Sequence, residues 1–278
     1  MSLRVVGRAL TAIPAGAGAA AMSAGIVSVA LQLADVEWFS LIWLVVGGLI
    51  WIVLVAVFAG RLLGDRVRWV NEANAPQALT GVAATCVLGA RCVLLDWNPV
   101  GWAALGAVLV VSAPAHWLTV PAFVAFLLGL FFYLVVFVRF SYNQFRVGAG
   151  DQWVFAGGLA ISAVAAGKLA PATEAAGWSE GVHHAIQVAG TVIVCLAMTG
   201  YAILVVSEIR WPRLHYDVRR WSTAFPMGMT SAASLTVATS SDAAWLRPVG
   251  LVLVWPAVVV CVVLLVGSGR NLVRAASA

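Results

Sequence analysis

Near the end of the chain, the run Trp221-Ser-Thr-Ala-Phe-Pro-Met-Gly-Met-Thr-Ser-Ala-Ala-Ser234 follows Arg219 and Arg220 directly. It sets a large ring and an imide before a string of small residues. Proline has no amide hydrogen, so the carbonyl of Ser222, four residues back, loses its helical partner and a kink is expected there. A kink beside Phe225 aims the ring. In a narrow apolar passage a ring blocks by bulk and by dewetting, and a small rotamer change reopens the way. Phe225 and Pro226 are therefore the candidate gate, with a merely packed kink as the alternative.

The other polar groups in comparable small-residue stretches are mild. Thr85, Ser162, Thr230 and Ser231 offer hydroxyls as candidate lining, and Arg91 and Lys168 bring positive charge near the ends of two such stretches. The middles of these stretches hold no Asp, Glu or His, the residues that a proton-coupled carrier ordinarily keeps inside the membrane. Glu208 and Asp217 fall at one edge, and His183 and His184 at the other. Hydroxyls, backbone dipoles and a positive outer mouth at Arg91 and Lys168 suit passive passage of an anion. Snorkelling to the interface is the competing account of those two cations.

Other chemistry is excluded on the same residues. His183 and His184 are adjacent, so on a helix they point about 100° apart, and no further ligands sit at metal spacing. The sequence has no nucleophile motif, Gly-rich phosphate loop or carboxylate dyad, so an enzyme and a cofactor are not expected. Cys86, Cys92, Cys195 and Cys261 lie in apolar stretches without a CxxC pair and read as core thiols. The arginines from Arg210 to Arg220 are explained by topology and anionic headgroups without nucleic acid.

The elements that position these residues must be membrane helices. A chain of 278 residues that is 63% hydrophobic and 10% charged cannot hide its apolar surface in one water-soluble core. A single all-α polytopic membrane domain spanning residues 1–278 is expected, with the bilayer as partner and about eight to ten transmembrane segments. Hydropathy marks nine: 10–33, 38–60, 78–95, 100–115, 118–140, 152–170, 183–208, 221–240 and 246–268. Arg4 and Arg8 before an Ala/Gly-rich run imitate a secretion signal. The apolar run continues through Leu31, however, so 10–33 is taken as the first membrane helix.

The basic residues orient the chain. Arg4, Arg8, Arg61, Arg66, Arg68, Arg139, Arg146, Arg210, Arg213, Arg219, Arg220, Arg270 and Arg274 share one set of helix ends, while Arg91, Lys168 and Arg247 take the other. Both termini are accordingly expected in the cytoplasm, with the protein in the plasma (inner) membrane. Parity then demands an odd number of crossings between Asp96 and Arg146, where hydropathy offers two segments. About fifty residues cannot hold three full spans of about 20 residues each, so 100–115 is expected as a half-span.

Side-chain size alternates from segment to segment. Ile13–Gly25, Gly81–Ala90, Ala156–Gly167 and Met227–Ser234 are built of small residues, whereas Trp38–Phe58, Phe123–Phe140, Ile186–Val206 and Val249–Val266 are bulky. Small residues let helices approach closely in lipid, so helical hairpins with an inner ring of small-residue helices and an outer ring of bulky ones are expected.

Four stretches carry a family resemblance: Met22-Ser-Ala-Gly-Ile-Val-Ser28, Ala84-Thr-Cys-Val-Leu-Gly-Ala-Arg91, Gly157-Gly-Leu-Ala-Ile-Ser162 and Tyr216-Asp-Val-Arg-Arg-Trp-Ser-Thr-Ala-Phe-Pro-Met-Gly-Met229. They resemble, in order, the first, third, seventh and ninth helices of the tellurite-resistance/dicarboxylate transporter family, which includes the plant guard-cell slow anion channels. The resemblance implies ten helices in five hairpins, odd-numbered helices around a quasi-fivefold pore, and often a homotrimer. It also implies movement of small inorganic anions, dicarboxylates, sulfite or other oxyanions, with Phe225 matching the ring that occludes the pore. The stretch 96–140 holds two apolar segments where the fourth, fifth and sixth helices belong, a departure that bears on whether the pore is complete. Three readings follow: an anion channel or facilitative exporter, a proton-coupled carrier for dicarboxylate or sulfite, and a non-conducting or partner-binding membrane protein.

Overall fold

A computed structural model describes residues 13–73, 79–93, 95, 119–148, 150–212 and 216–277. Among these residues the α-helices are α1 (Gly18–Leu33), α2 (Glu37–Gly64), α3 (Arg66–Ala73), α4 (Leu79–Val93), α5 (Thr119–Val138), α6 (Gln144–Val147), α7 (Val154–Ala175), α8 (Glu180–Arg210), α9 (Trp221–Ser240) and α10 (Leu246–Ser277). Among the described residues there is no strand. All the expected segments except 100–115 coincide with a helix. That segment, with its expected half-span, lies outside the described residues.

Among the described residues five helices, α2, α5, α7, α8 and α10, are long and apolar enough to cross a bilayer, and the chain is an all-α, multi-pass membrane protein. The small-residue helices behave differently. Gly18–Leu33 and Ala83–Cys92 form shorter apolar helical stretches, and α9 is interrupted throughout by Ser, Thr and Gly. Such a helix is stable in a membrane only if other helices shield it from lipid. Accordingly, α9 buries sixteen of its twenty residues and α1 twelve of sixteen. The bulky α2 buries five of twenty-eight, and α5 buries only Thr119 and Phe126.

The packing order makes this a two-layer arrangement. Small-residue helices follow one another as α4, α1, α9 and α7, forming an arc. Behind the arc, α2 backs α1 and α4, α10 backs α9 and α1, α8 backs α7 and α9, and α5 backs α7. Contacts between the inner helices rise together along their lengths: Gly18 meets Gly81 and Gly25 meets Val87, and Gly157 meets Pro226 and Gly167 meets Thr236. The inner helices are therefore parallel, each beginning at the same end of the molecule.

Close approach sets the spacing of this arc. A Cβ added at Gly157 would lie 2.9 Å from Cγ of Pro226, and one added at Gly228 would lie 3.1 Å from Cγ2 of Ile26. Buried hydroxyls join the helices as well, Ser23 Oγ donating to the Trp221 carbonyl at 3.0 Å and Ser40 Oγ to the Ser28 carbonyl at 2.6 Å. Interhelical bonds of this kind contribute only about 0.6 kcal/mol each on average, so the close backbone packing dominates.

Gly157→Leu is expected to lower the thermal unfolding midpoint in detergent by roughly 5 °C or more, from an overpacking penalty of about 1–3 kcal/mol. Gly48, where an added Cβ meets nothing within 4 Å, provides the comparison, and Gly48→Ala is expected to leave the midpoint unchanged or slightly raised. Equal midpoints for both variants would contradict the close-packed arc.

Candidate functional site

Three contacts fix how α9 is rotated. Pro226 abuts Gly157 of α7, Gly228 abuts Ile26 and Val27 of α1, and Ser231 Oγ donates to the Gly250 carbonyl of α10 at 2.8 Å. Successive helical residues turn by about 100°, which places Phe225 in the sector between Gly228 and Pro226. Its side chain therefore leaves α9 between α1 and α7, on the side away from α10. Met229 and Ala232 share that sector. Phe225 is 9% exposed, so the ring is packed among its neighbours rather than standing open. The helix continues unbroken through Pro226, whose ring is seated at Gly157.

Contacts of the same kind define the inward face of the neighbouring helices. On α1, Gly25 meets Val87 of α4 and Ser23 bonds to α9, which leaves half-buried Met22 and Val29 between those two contacts. On α7, Gly157 faces α9, Gly158 faces Tyr133 of α5, and Ala166 meets Gly190 of α8 on the opposite side. Val154, Ile161 and Lys168 fall in the remaining inward sector, and all three are exposed. Among the described residues, the inward sectors of α1 and α7 are thus apolar, apart from Lys168 in the second half of α7.

The four hydroxyls expected to line a path are engaged elsewhere. Thr230 Oγ1 donates to the Pro226 carbonyl at 2.8 Å, and Ser231 reaches α10 as described. Ser162 Oγ donates to the Gly158 carbonyl at 3.0 Å, on the α5-facing side of α7. Thr85 Oγ1 donates to the Gly81 carbonyl at 3.0 Å and accepts from Trp51 Nε1 of α2 at 2.9 Å. The structure does not gather these hydroxyls around Phe225.

Arg91 and Lys168, paired in expectation as an outer mouth, have different surroundings. Lys168 is exposed on the inward sector. Arg91 is fully buried behind α1, its Nε donating to Ser28 Oγ at 3.2 Å and Ser40 Oγ at 3.1 Å, and its Nη2 to Gln32 Oε1 at 2.7 Å. It ties α4 to the α1–α2 hairpin. A buried cation costs several kcal/mol in desolvation, which these hydrogen bonds offset. Nη1 has no partner among the described residues.

At the arginine-rich end, a second cluster anchors the start of α9. Arg220 Nη1 meets both oxygens of Glu208 at 3.0 and 3.1 Å. Gln152 Nε2 and Trp153 Nε1 donate to the same carboxylate at 2.9 and 3.3 Å. Asp217 caps the turn Val218–Arg220 by accepting the Arg219 amide at 2.8 Å. The side-chain hydrogen bond from Arg219 holds the Asp217 carboxyl below the usual carboxylate range, against the upward push of partial burial. His183 Nδ1 lies 2.8 Å from the Ala170 carbonyl. Among the described residues no three His, Cys, Asp or Glu side chains converge as a metal site would require.

No curated protein matches the chain. A family model described as voltage-dependent anion channel matches residues 98–268. That span contains α5 to α9 and most of α10, and so both helices, α7 and α9, that meet at the Gly157–Pro226 contact. The match takes in more than half of the chain, and the motifs quoted above point the same way: this chain belongs to the voltage-dependent anion channel family.

Proposed function

We propose that this member of an anion-channel family conducts small inorganic anions or oxyanions passively, along the concave face of α4, α1, α9 and α7, with Phe225 as the obstruction. The observation that carries this reading is the sector of Phe225. The ring leaves α9 between α1 and α7, and Pro226 beside it is seated at Gly157. Met22, Val29, Met229 and Ile161 fall in the inward sectors on the side of the ring, and an aromatic ring in such apolar surroundings would exclude water and ions until it moves.

Electrostatics supports an anion. The parallel inner helices bring their N-termini to one end, and each carries roughly half a positive charge there. Lys168 adds an accessible cation toward the other end, while buried Arg91 contributes a field that solvent screens poorly. Among the described residues, the inward sectors of α1, α7 and α9 hold no carboxylate or imidazole that could carry a coupled proton. The arginine-rich end is read as cytoplasmic and the membrane as the plasma (inner) membrane, in line with the distribution of basic residues.

Purified protein in liposomes is expected to support chloride or nitrate flux that does not require a pH gradient. Absence of flux from pure protein would sink the proposal, and strict dependence on a proton gradient would favour a coupled carrier instead. Phe225→Ala is expected to raise flux severalfold at equal protein abundance, and unchanged flux would reject the gate. Lys168→Gln is expected to lower flux by roughly threefold at low ionic strength and much less at high salt, where screening removes the attraction. A reduction independent of salt would assign Lys168 a packing role.

A further inference from the structure

Outside the concave face, an open groove of about 880 Å³ lies between the arginine-rich ends of α8, α9 and α10. Val205 and Ile209 of α8 and Val263 and Val266 of α10 line it. This wall belongs to the outer surface, with Ile209 75% and Val263 63% exposed. Toward the end of α10 the valines give way to Arg270, Asn271 and Arg274. The groove thus changes along its length from hydrocarbon to guanidinium, the order in which a leaflet changes from acyl chain to headgroup.

The charges in the groove are unequally satisfied. Among the described residues that line it, the carboxylate is Glu208, held by Arg220, Gln152 and Trp153. Among the described residues neither Arg270 nor Arg274 forms an ion pair, and both are exposed. Two uncompensated guanidinium groups beside an amide present the forked donors that match phosphate oxygens. A free phosphate would leave the valine wall unused, and a purely apolar partner would leave the arginines without a counter-charge. One amphiphile satisfies both.

We propose that this groove is a binding site for an anionic glycerophospholipid, with the phosphate-bearing headgroup on Arg270, Asn271 and Arg274 and an acyl chain along the valine wall. The site abuts the root of α9. Tyr216 lines the groove, packs over Gly267 and shares a 2.7 Å hydrogen bond with Ser268, which also accepts from Trp221 Nε1 at 3.3 Å. Thr223, whose buried hydroxyl has no partner among the described residues, also lines the groove. A lipid seated there braces the segment that leads into Phe225.

The test reads binding, so its outcome is separate from that of the conduction proposal. Detergent-purified protein is offered phosphatidylglycerol and phosphatidylcholine with matched acyl chains, and retained lipid is measured by native mass spectrometry alongside the shift in thermal midpoint. Phosphatidylglycerol is expected to be retained preferentially and to raise the midpoint. Arg270→Gln combined with Arg274→Gln is expected to weaken its retention by roughly tenfold, with the lipid-free midpoint unchanged. Val263→Ala is expected to weaken retention of phosphatidylglycerol while leaving its preference over phosphatidylcholine intact. Equal retention of both lipids by the natural protein would overturn the proposal. So would full displacement by glycerol phosphate, which would assign the arginines to a free anion, or a dimer lost on mutating them, which would assign the groove to a second copy of the chain.

Discussion

Close contact between small residues on parallel helices is the constraint from which the rest of this structure follows. Lipid tails are as apolar as leucine, so apolar surface alone gives membrane helices no reason to associate. What holds α1, α7 and α9 together is that Gly157 admits the Pro226 ring and Gly228 admits Ile26. Those contacts also determine rotation. Once Pro226 is against α7 and Gly228 against α1, the direction of Phe225 is no longer free.

The same constraint separates the layers. Helices thin enough to approach one another are too poor in bulky side chains and too rich in hydroxyls to face hydrocarbon, so α2, α5, α8 and α10 must cover them. Each outer helix then carries exposed Leu, Val, Phe or Ile to the lipid. The Glu208–Arg220 pair closes the assembly at the arginine-rich end, and it does so next to the first residue of α9. An ion pair at that depth is favourable only with further hydrogen bonds to the carboxylate, which explains why Gln152 and Trp153 turn toward it.

Residue size along the chain was enough to foresee two layers, because composition alone decides which helices tolerate lipid. The Phe225–Pro226 pair was visible as a local signal, a ring next to an imide in a run of small residues, and the structure seats Pro226 at Gly157. The hydroxyls were not. Thr85, Ser162 and Thr230 each donate to the carbonyl four residues back, so their presence in an inner helix carries no information about which face they occupy. The face is settled by glycine contacts between segments far apart in the chain. Arg91 was obscured for a related reason, since Ser28, Gln32 and Ser40, its hydrogen-bond acceptors, come from another hairpin. Met22, Val29 and Ile161 gave no signal, because an inward-facing aliphatic residue in an apolar helix looks like any other.

Parallel inner helices have one more consequence. A bundle whose helices alternate in direction cancels its dipoles locally, but here the inner helices begin together, at the end where Arg220 and Glu208 lie, while their compensating partners stand a layer further out. An ion moving along the concave face would therefore climb or descend an electrical slope built from peptide bonds alone. The two directions of travel are not equivalent, and a current carried by this fold would be expected to rectify even between identical salt solutions.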